Sequence, residues 1–163
     1  MIRTAVPALL SALLLTATAA HADFAKDLKN AALQKANNSA AEKLGIATPA
    51  PEGAKVYLIS PKDGDTVSGP FKVQFGLSNA GIAPAGTQVD GTGHHHLLID
   101  DPQVDLTQPL PATDSIKHFG KGQTETTLTL KPGKHTLQLL FADWKHQPFN
   151  PSVASDKITI TVK

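Results

Sequence analysis

Hydrophobic and polar positions alternate along most of the chain after Lys55. In KVYLIS (Lys55–Ser60) Val56 and Leu58 share one face, and in PFKVQFGL (Pro70–Leu77) Phe71, Val73, Phe75 and Leu77 do the same. A period of two belongs to a half-buried β-strand. The same reading predicts strands over HHHLLID (His94–Asp100), QTETTLTL (Gln123–Leu130), HTLQLLFAD (His135–Asp143) and DKITITVK (Asp156–Lys163). In the last of these Ile158, Ile160 and Val162 face inward. Turn residues punctuate the series: PKDGDTVSG after the first strand and KPGK at Lys131–Lys134. WKHQPFNPSVAS (Trp144–Ser155) reads as a loop. The stretch 101–117 also reads as a loop, with room for a short edge strand near Ile116. Short alternating strands with turn signals between them predict an all-β, antiparallel sandwich, and about seven strands suit an immunoglobulin-like arrangement.

The first 54 residues follow other patterns. MIRTAVPALLSALLLTATAAHA (residues 1–22) has one basic residue, Arg3, an apolar run from Ala5 to Ala20, and the small-residue end Ala20-His21-Ala22. That is the form of a secretory signal peptide cut before Asp23, and the run is short for a spanning helix of about 20 residues. A cut before His21 would instead leave an N-terminal histidine as a copper ligand; the pattern favours Asp23. The chain is expected to be exported, to the periplasm or beyond the cell, with no stable membrane insertion after cleavage. Residues 23–46 carry Phe24, Leu28, Ala32 and Ala36 at four-residue spacing, which predicts a short helix with a weak apolar face. ATPAPEGA (47–54) reads as a Pro-containing linker, leaving 55–163 as one sandwich domain.

Composition narrows the chemistry mainly by exclusion. With no cysteine, an exported domain has no disulfide to staple it, and a thiol nucleophile, a blue-copper site and a thiolate zinc site are all ruled out. The single methionine is Met1, which argues against a Met-rich Cu(I) carrier. Arg3 is the only arginine; without it 14 lysines face 14 acidic residues, and the lysines are scattered. Nucleic-acid binding normally needs a basic patch with guanidinium forks, so no nucleic-acid partner is expected.

Histidine is the residue left to carry chemistry. Six follow the leader: His94, His95, His96, His118, His135 and His146. In an immunoglobulin-like topology the start of the 94–100 strand, the start of the 123–130 strand and the end of the 135–143 strand lie at one end of the sandwich. His94–His96, His118 and His146 are thereby expected at a common rim. Alternation sorts the triplet: His95 shares parity with Leu97 and Ile99 and points to the core, while His94 and His96 point together to the other side. Imidazole suits Cu²⁺, Zn²⁺ and Ni²⁺. Three histidines with an open position make a catalytic-type site, and four a closed one. His94, His96, His118 and His146 are therefore the candidate metal ligands, with His95, Gln123, Glu125 and Asp143 as supporting residues that fix ring tautomers. His135 shares parity with Leu137 and Leu139, belongs at the opposite end, and is read as structural. Against the metal reading stand hydrogen-bonded scaffold histidines and a surface that titrates near pH 6.5.

Other signals are bland. Gly120 and Gly122 in HFGKGQTE read as turn residues without phosphate-loop spacing, and Trp144 and Phe149 as core caps. PKDGDT lacks the rest of a calcium loop.

Three stretches together, GAKVYLISPKDGDTV, GHHHLLID and HFGKGQTETTLTLKPGKHTLQLLFADWKH, resemble a bacterial exported family known as domain of unknown function 4399. The resemblance runs from about Gly53 to Val162 and implies that the six histidines belong to the family's motif. One departure is Phe149, where some members carry a further histidine, which would remove one potential ligand. The resemblance supplies no activity. The expected role is a binding module rather than an enzyme, holding copper or zinc, the alternative being an envelope structural or protein-interaction domain whose partner is another envelope protein.

Overall fold

The structure, a computed structural model, describes residues 48–163 together with Lys26, Leu28, Lys29, Ala32 and Leu44. The expected signal peptide lies outside the described residues. So does most of the expected helix over 23–46, of which Lys26, Leu28, Lys29 and Ala32 have helical backbone and are exposed.

The alternating segments form strands where their periodicity places them. In chain order these are β1 (Lys55–Ser60), β2 (Thr66–Val67), β3 (Phe71–Ser78), β4 (Gly81–Ile82), β5 (Thr92–Ile99), β6 (Ile116–His118), β7 (Glu125–Leu128), β8 (Gly133–Ala142), β9 (Pro148–Ala154) and β10 (Ile158–Val162). Two sheets result. One has the order β1-β3-β7; the other has the order β2-β10-β8-β5-β4, with β6 added to β5 and β9 to β8. Every pairing between the longer strands is antiparallel; β2–β10 and β4–β5 are short parallel contacts. The pairings β3–β7 in one sheet and β5–β8–β10 in the other are those the immunoglobulin-like expectation requires.

Between the sheets lies the main core. Val73, Leu97, Leu137, Leu139, Phe141 and Ile160 are all 0% exposed, and Val56, Phe71, Phe75 and Phe149 pack with them. All but Phe149 are inward residues of the alternating runs, and a leucine or phenylalanine so buried contributes about 1.5–3 kcal/mol.

Where β5 meets the end of β8, the outer face of the larger sheet is covered. Leu98, Leu140 and Ala142 form a second, smaller cluster with Leu110, and Val104 packs against it. The segment read as a free loop after Asp100 therefore lies back over the sheet. It is pinned there by Ile99 N donating to the Ser115 carbonyl (2.8 Å) and Leu110 N donating to the His146 carbonyl (2.9 Å). Covered on both sides, β5 is buried from Gly93 to Ile99. Gly93 serves this packing, since a Cβ there would overlap the Ala142 carbonyl oxygen.

Two segments read as irregular are paired. β9 occupies the expected loop 144–155; its prolines, Pro148 and Pro151, signalled a loop, but an edge strand tolerates them. Within the expected linker, Ala50 N donates to the Asn150 carbonyl (3.1 Å) and Asn150 N to the Thr48 carbonyl (2.9 Å), so residues 48–50 run as a strap beside the start of β9.

Phe141→Ala removes a fully buried ring that stacks on Phe149 and leans on His95. It should lower the urea midpoint by an amount equivalent to about 3–5 kcal/mol, with little change in slope.

Candidate metal centre

Register builds the site. On β5, His94 and His96 point to the outer face two residues apart, opposite Ala142 and Leu140 of β8. On the other edge of β5, His118 of β6 lies directly across from His96. Residues opposite one another in an antiparallel pair put their side chains on the same face, about 5 Å apart at Cβ. His146 arrives from the turn after β8, one turn beyond the residue facing His94. Its backbone has φ +68°, and the turn is closed by His146 N donating to the Asp143 carbonyl (3.0 Å) and Asp143 N donating to the Gln147 carbonyl (2.9 Å).

The four rings form one cluster. Ring centres stand 4.8 Å apart for His94–His96, 5.0 Å for His94–His118 and for His94–His146, and 5.1 Å for His96–His118. His118–His146 is 4.6 Å and His96–His146 is 6.0 Å. One nitrogen from each of His94, His96 and His118 lies within 4.8 Å of the other two, so these three could hold a metal ion. His146 stands outside that group of three and is hydrogen-bonded to it, its Nε2 3.1 Å from Nε2 of His118. His94 and His96 are both 0% exposed, and none of their four ring nitrogens has a hydrogen-bond partner.

Burial sets the protonation. Desolvation, helped by the neighbouring rings of His118 and His146 and opposed by the Asp143 carboxylate, brings His94 down to about 4. Desolvation and then His94, His118 and His146 bring His96 to about 2. His118 is lowered by burial and by His146. At neutral pH His94, His96 and His118 are therefore uncharged, each with a free lone pair, the state metal coordination requires.

Each expected residue can now be placed. His94, His96, His118 and His146 meet, but by a different route from the expected one. His118 does not open the 123–130 strand; it sits on β6, and the cluster lies on the covered outer face of a sheet rather than on a rim of loops. The expectation had room for a strand near Ile116 but could not give its pairing partner. His95 points to the core, edge-on to Phe75 (5.3 Å) and tilted against Phe141 (5.4 Å), away from the other four. Gln123 and Glu125 are not at the rings, which corrects their reading as supporting residues. The Glu125 carboxylate accepts from Lys72 and Gln74 on the opposite sheet, and Gln123 Oε1 accepts from Lys121 N. They were expected there because their strand begins at the same end of the sandwich, but that strand pairs with β3 in the opposite sheet.

Asp143 is buried and works through the turn rather than by touching a ring. Its Oδ1 accepts from Lys145 N (2.8 Å) and Gln147 N (2.9 Å), and its Oδ2 accepts from the Thr48 hydroxyl. Two residues escaped the sequence reading. Thr48, in the expected linker, braces the turn that carries His146. Gly120 leaves room for the His118 ring, which a Cβ there would overlap. Gly120 was read only as a turn residue, and nothing in the sequence marked Thr48. Phe149, the departure from the family pattern, stacks on Phe141 in the main core and so faces away from the cluster. His135 is bonded at both nitrogens, Nδ1 to the Asp100 carboxylate (2.9 Å) and Nε2 to the Lys131 carbonyl (2.9 Å). Burial alone would lower its pKa, but those bonds outweigh it and raise the value.

A two-layer antiparallel β-protein with four histidines gathered on one sheet face is the class that fold and site define. Residues 73–163 match the family described as Domain of unknown function (DUF4399), and the chain belongs to it. No curated protein matches the sequence. Among solved structures, an endo-beta-1,4-mannanase from Thermotoga petrophila is similar at a TM-score of 0.41 and 20% identity, over 69% of this chain and 20% of that one. The fibronectin(III)-like modules of Clostridium thermocellum CbhA are similar at a TM-score of 0.34 and 14% identity, over 66% of this chain and 92% of that one. The chain thus spans about a fifth of the mannanase.

The buried rings make the protein acid-sensitive. Above pH 6.5 neither the folded nor the unfolded chain protonates them. Between 6.5 and about 4 the unfolded chain binds protons that His94 and His95 refuse when folded, so stability falls as pH falls. Urea midpoints measured across that range should drop steadily, and His95→Phe should flatten the drop. His135 has the opposite sign: its raised pKa adds stability that is fully present below 6.5 and is lost as pH rises through the folded value.

Proposed function

We propose that this chain is an exported, periplasmic binding module of immunoglobulin-like form that holds one divalent transition-metal ion, copper or zinc, through His94, His96, His118 and His146. The supporting observation is a convergence of rings in which the two deepest make no hydrogen bond. Four imidazoles meet, and the two deepest have all their ring nitrogens buried and unpartnered. An unsatisfied buried polar group costs about 1–3 kcal/mol, against a typical net stability of about 5–15 kcal/mol. His135 is the internal comparison, a histidine with both nitrogens bonded, as a scaffold role requires. His95 is also unpartnered, but it is packed among phenylalanines with no second ligand beside it.

A metal ion would accept one lone pair from each of the four rings and so relieve one unpartnered nitrogen on each of His94 and His96. The sequence signals for export support a setting where the ion is met outside the cytoplasm. Within this reading the protein binds and presents the metal; its partner is the ion or an envelope protein that exchanges it.

Calorimetric titration of the tag-free protein with Cu²⁺ and with Zn²⁺, accompanied by melting curves, tests the reading. One equivalent should bind with a raised melting temperature; flat heats and an unchanged melt reject it. His96→Ala and His146→Ala should weaken binding by more than the roughly 10–100-fold expected for loss of an outer partner, while His135→Ala leaves affinity unchanged.

Asp143→Ala and Thr48→Ala should fall within that range of about 10–100-fold, because each releases the turn that carries His146 without removing a ligand. The same titration reads the effect.

A further inference from the structure

The arrangement of the four rings says which metal suits them. For an ion bonded to nitrogen at about 2.0–2.1 Å, with each ring centre about 1.2 Å further out, four imidazoles at tetrahedral corners stand about 5 Å apart, centre to centre. In a square plane the same rings stand about 4.5 Å from their neighbours and about 6.4 Å from the ring opposite, so two of the six separations must be long. Here five separations run from 4.6 to 5.1 Å, and only His96–His146 is long, at 6.0 Å. If His96 and His146 were opposite corners of a square, His94 and His118 would be the other opposite pair. They are 5.0 Å apart. The set is a slightly stretched tetrahedron. The hydrogen bond between Nε2 of His118 and Nε2 of His146 already holds these nitrogens 3.1 Å apart, close to the separation of about 3.3 Å that tetrahedral bonding to one ion would require.

The scaffold resists flattening. His94 and His96 ride on a strand paired along both edges and covered on both faces, and His118 is held in register with His96 by the β5–β6 ladder. His146 sits on a turn closed by two backbone hydrogen bonds and braced by Asp143. Full burial of His94 and His96 also leaves no access on that side for the waters of a six-coordinate ion.

Resting on the metal reading above, we infer that the cluster is a closed, tetrahedral four-imidazole site whose metal is zinc. Cu²⁺ and Ni²⁺ favour tetragonal nitrogen sets, whereas Zn²⁺, with a filled d shell, accepts a tetrahedron without penalty. Cu(I) is selected by thiolate and thioether ligands, and the described residues contain neither cysteine nor methionine. Three ligands are preset on strands, and His146 closes the fourth corner.

Cobalt(II) reports the geometry, because tetrahedral cobalt absorbs intensely in the visible and six-coordinate cobalt only weakly. The tag-free full-length chain is titrated with Co²⁺ and then with Zn²⁺, and Cu²⁺–Zn²⁺ competition is measured on it and on His146→Ala. The expected result is an intense cobalt spectrum at one equivalent, bleached by Zn²⁺. The Cu²⁺-over-Zn²⁺ affinity ratio should rise about tenfold or more in His146→Ala, which frees a corner. Weak cobalt bands with one-to-one binding retained would overturn the tetrahedral site while leaving metal binding standing. Failure of cobalt, zinc and copper alike to bind would overturn both. The wild-type spectrum decides the geometry by itself, so the inference stays falsifiable if the variant does not fold.

Discussion

The antiparallel pairing of β5 with β8, from His94 opposite Ala142 to Ile99 opposite Leu137, is the constraint from which the rest of the structure follows. It puts Leu97, Ile99, Leu137, Leu139 and Phe141 between the sheets and leaves Leu98, Leu140 and Ala142 on the far side. That far side is apolar, so the segment after Asp100 folds back and covers it with Leu110 and Val104. A one-residue slip in this ladder would exchange the two faces of β5. His95 would then join the cluster, and His94 and His96 would enter the hydrophobic core. Register, core and candidate site are one decision.

The cover over the outer face changes the chemistry of the histidines beneath it. On an open strand, His94 and His96 would be solvated and would titrate near 6.5. Under the segment held by the Leu110–His146 hydrogen bond they are fully buried and uncharged at neutral pH. Burial without hydrogen bonds is unfavourable for imidazole, and His94 and His96, two such rings side by side, concentrate that unfavourable energy at one point. A ligand that binds several lone pairs at once relieves it at one point as well. His135 shows the other way to keep a histidine in this fold, with a carboxylate on one nitrogen and a carbonyl on the other.

The support of the site is distributed along the chain in a way that ties distant segments together. Thr48 reaches Asp143, Asp143 closes the turn that presents His146, and the carbonyl of His146 anchors the covering segment at Leu110. The strap at residues 48–50 and the covering segment therefore both end on the turn that supplies the fourth ring. Neither contributes a ligand, and both restrict where that ring can go.

Period-two alternation was enough, from the sequence, for the two-sheet β architecture and for the strands at 55–60, 71–78 and 133–142, because the inward residues there are large and apolar. Parity also separated His95 from His94 and His96, since a strand has only two faces. The pairing partner of His118 was not legible: three residues, Ile116–His118, are too few to carry a period, and the sheet a short strand joins is chosen by available edges. Gln123 and Glu125 were misplaced for another reason: their strand begins at the expected end of the sandwich but pairs with β3, across the core from the cluster. Nor could the sequence indicate that the outer face of β5 is covered, or that Thr48 braces a turn 95 positions away. Local patterning decides which face a side chain takes. Which other side chains meet it there depends on long-range strand pairing and on what packs over the sheet, and those are settled only when the whole chain is folded.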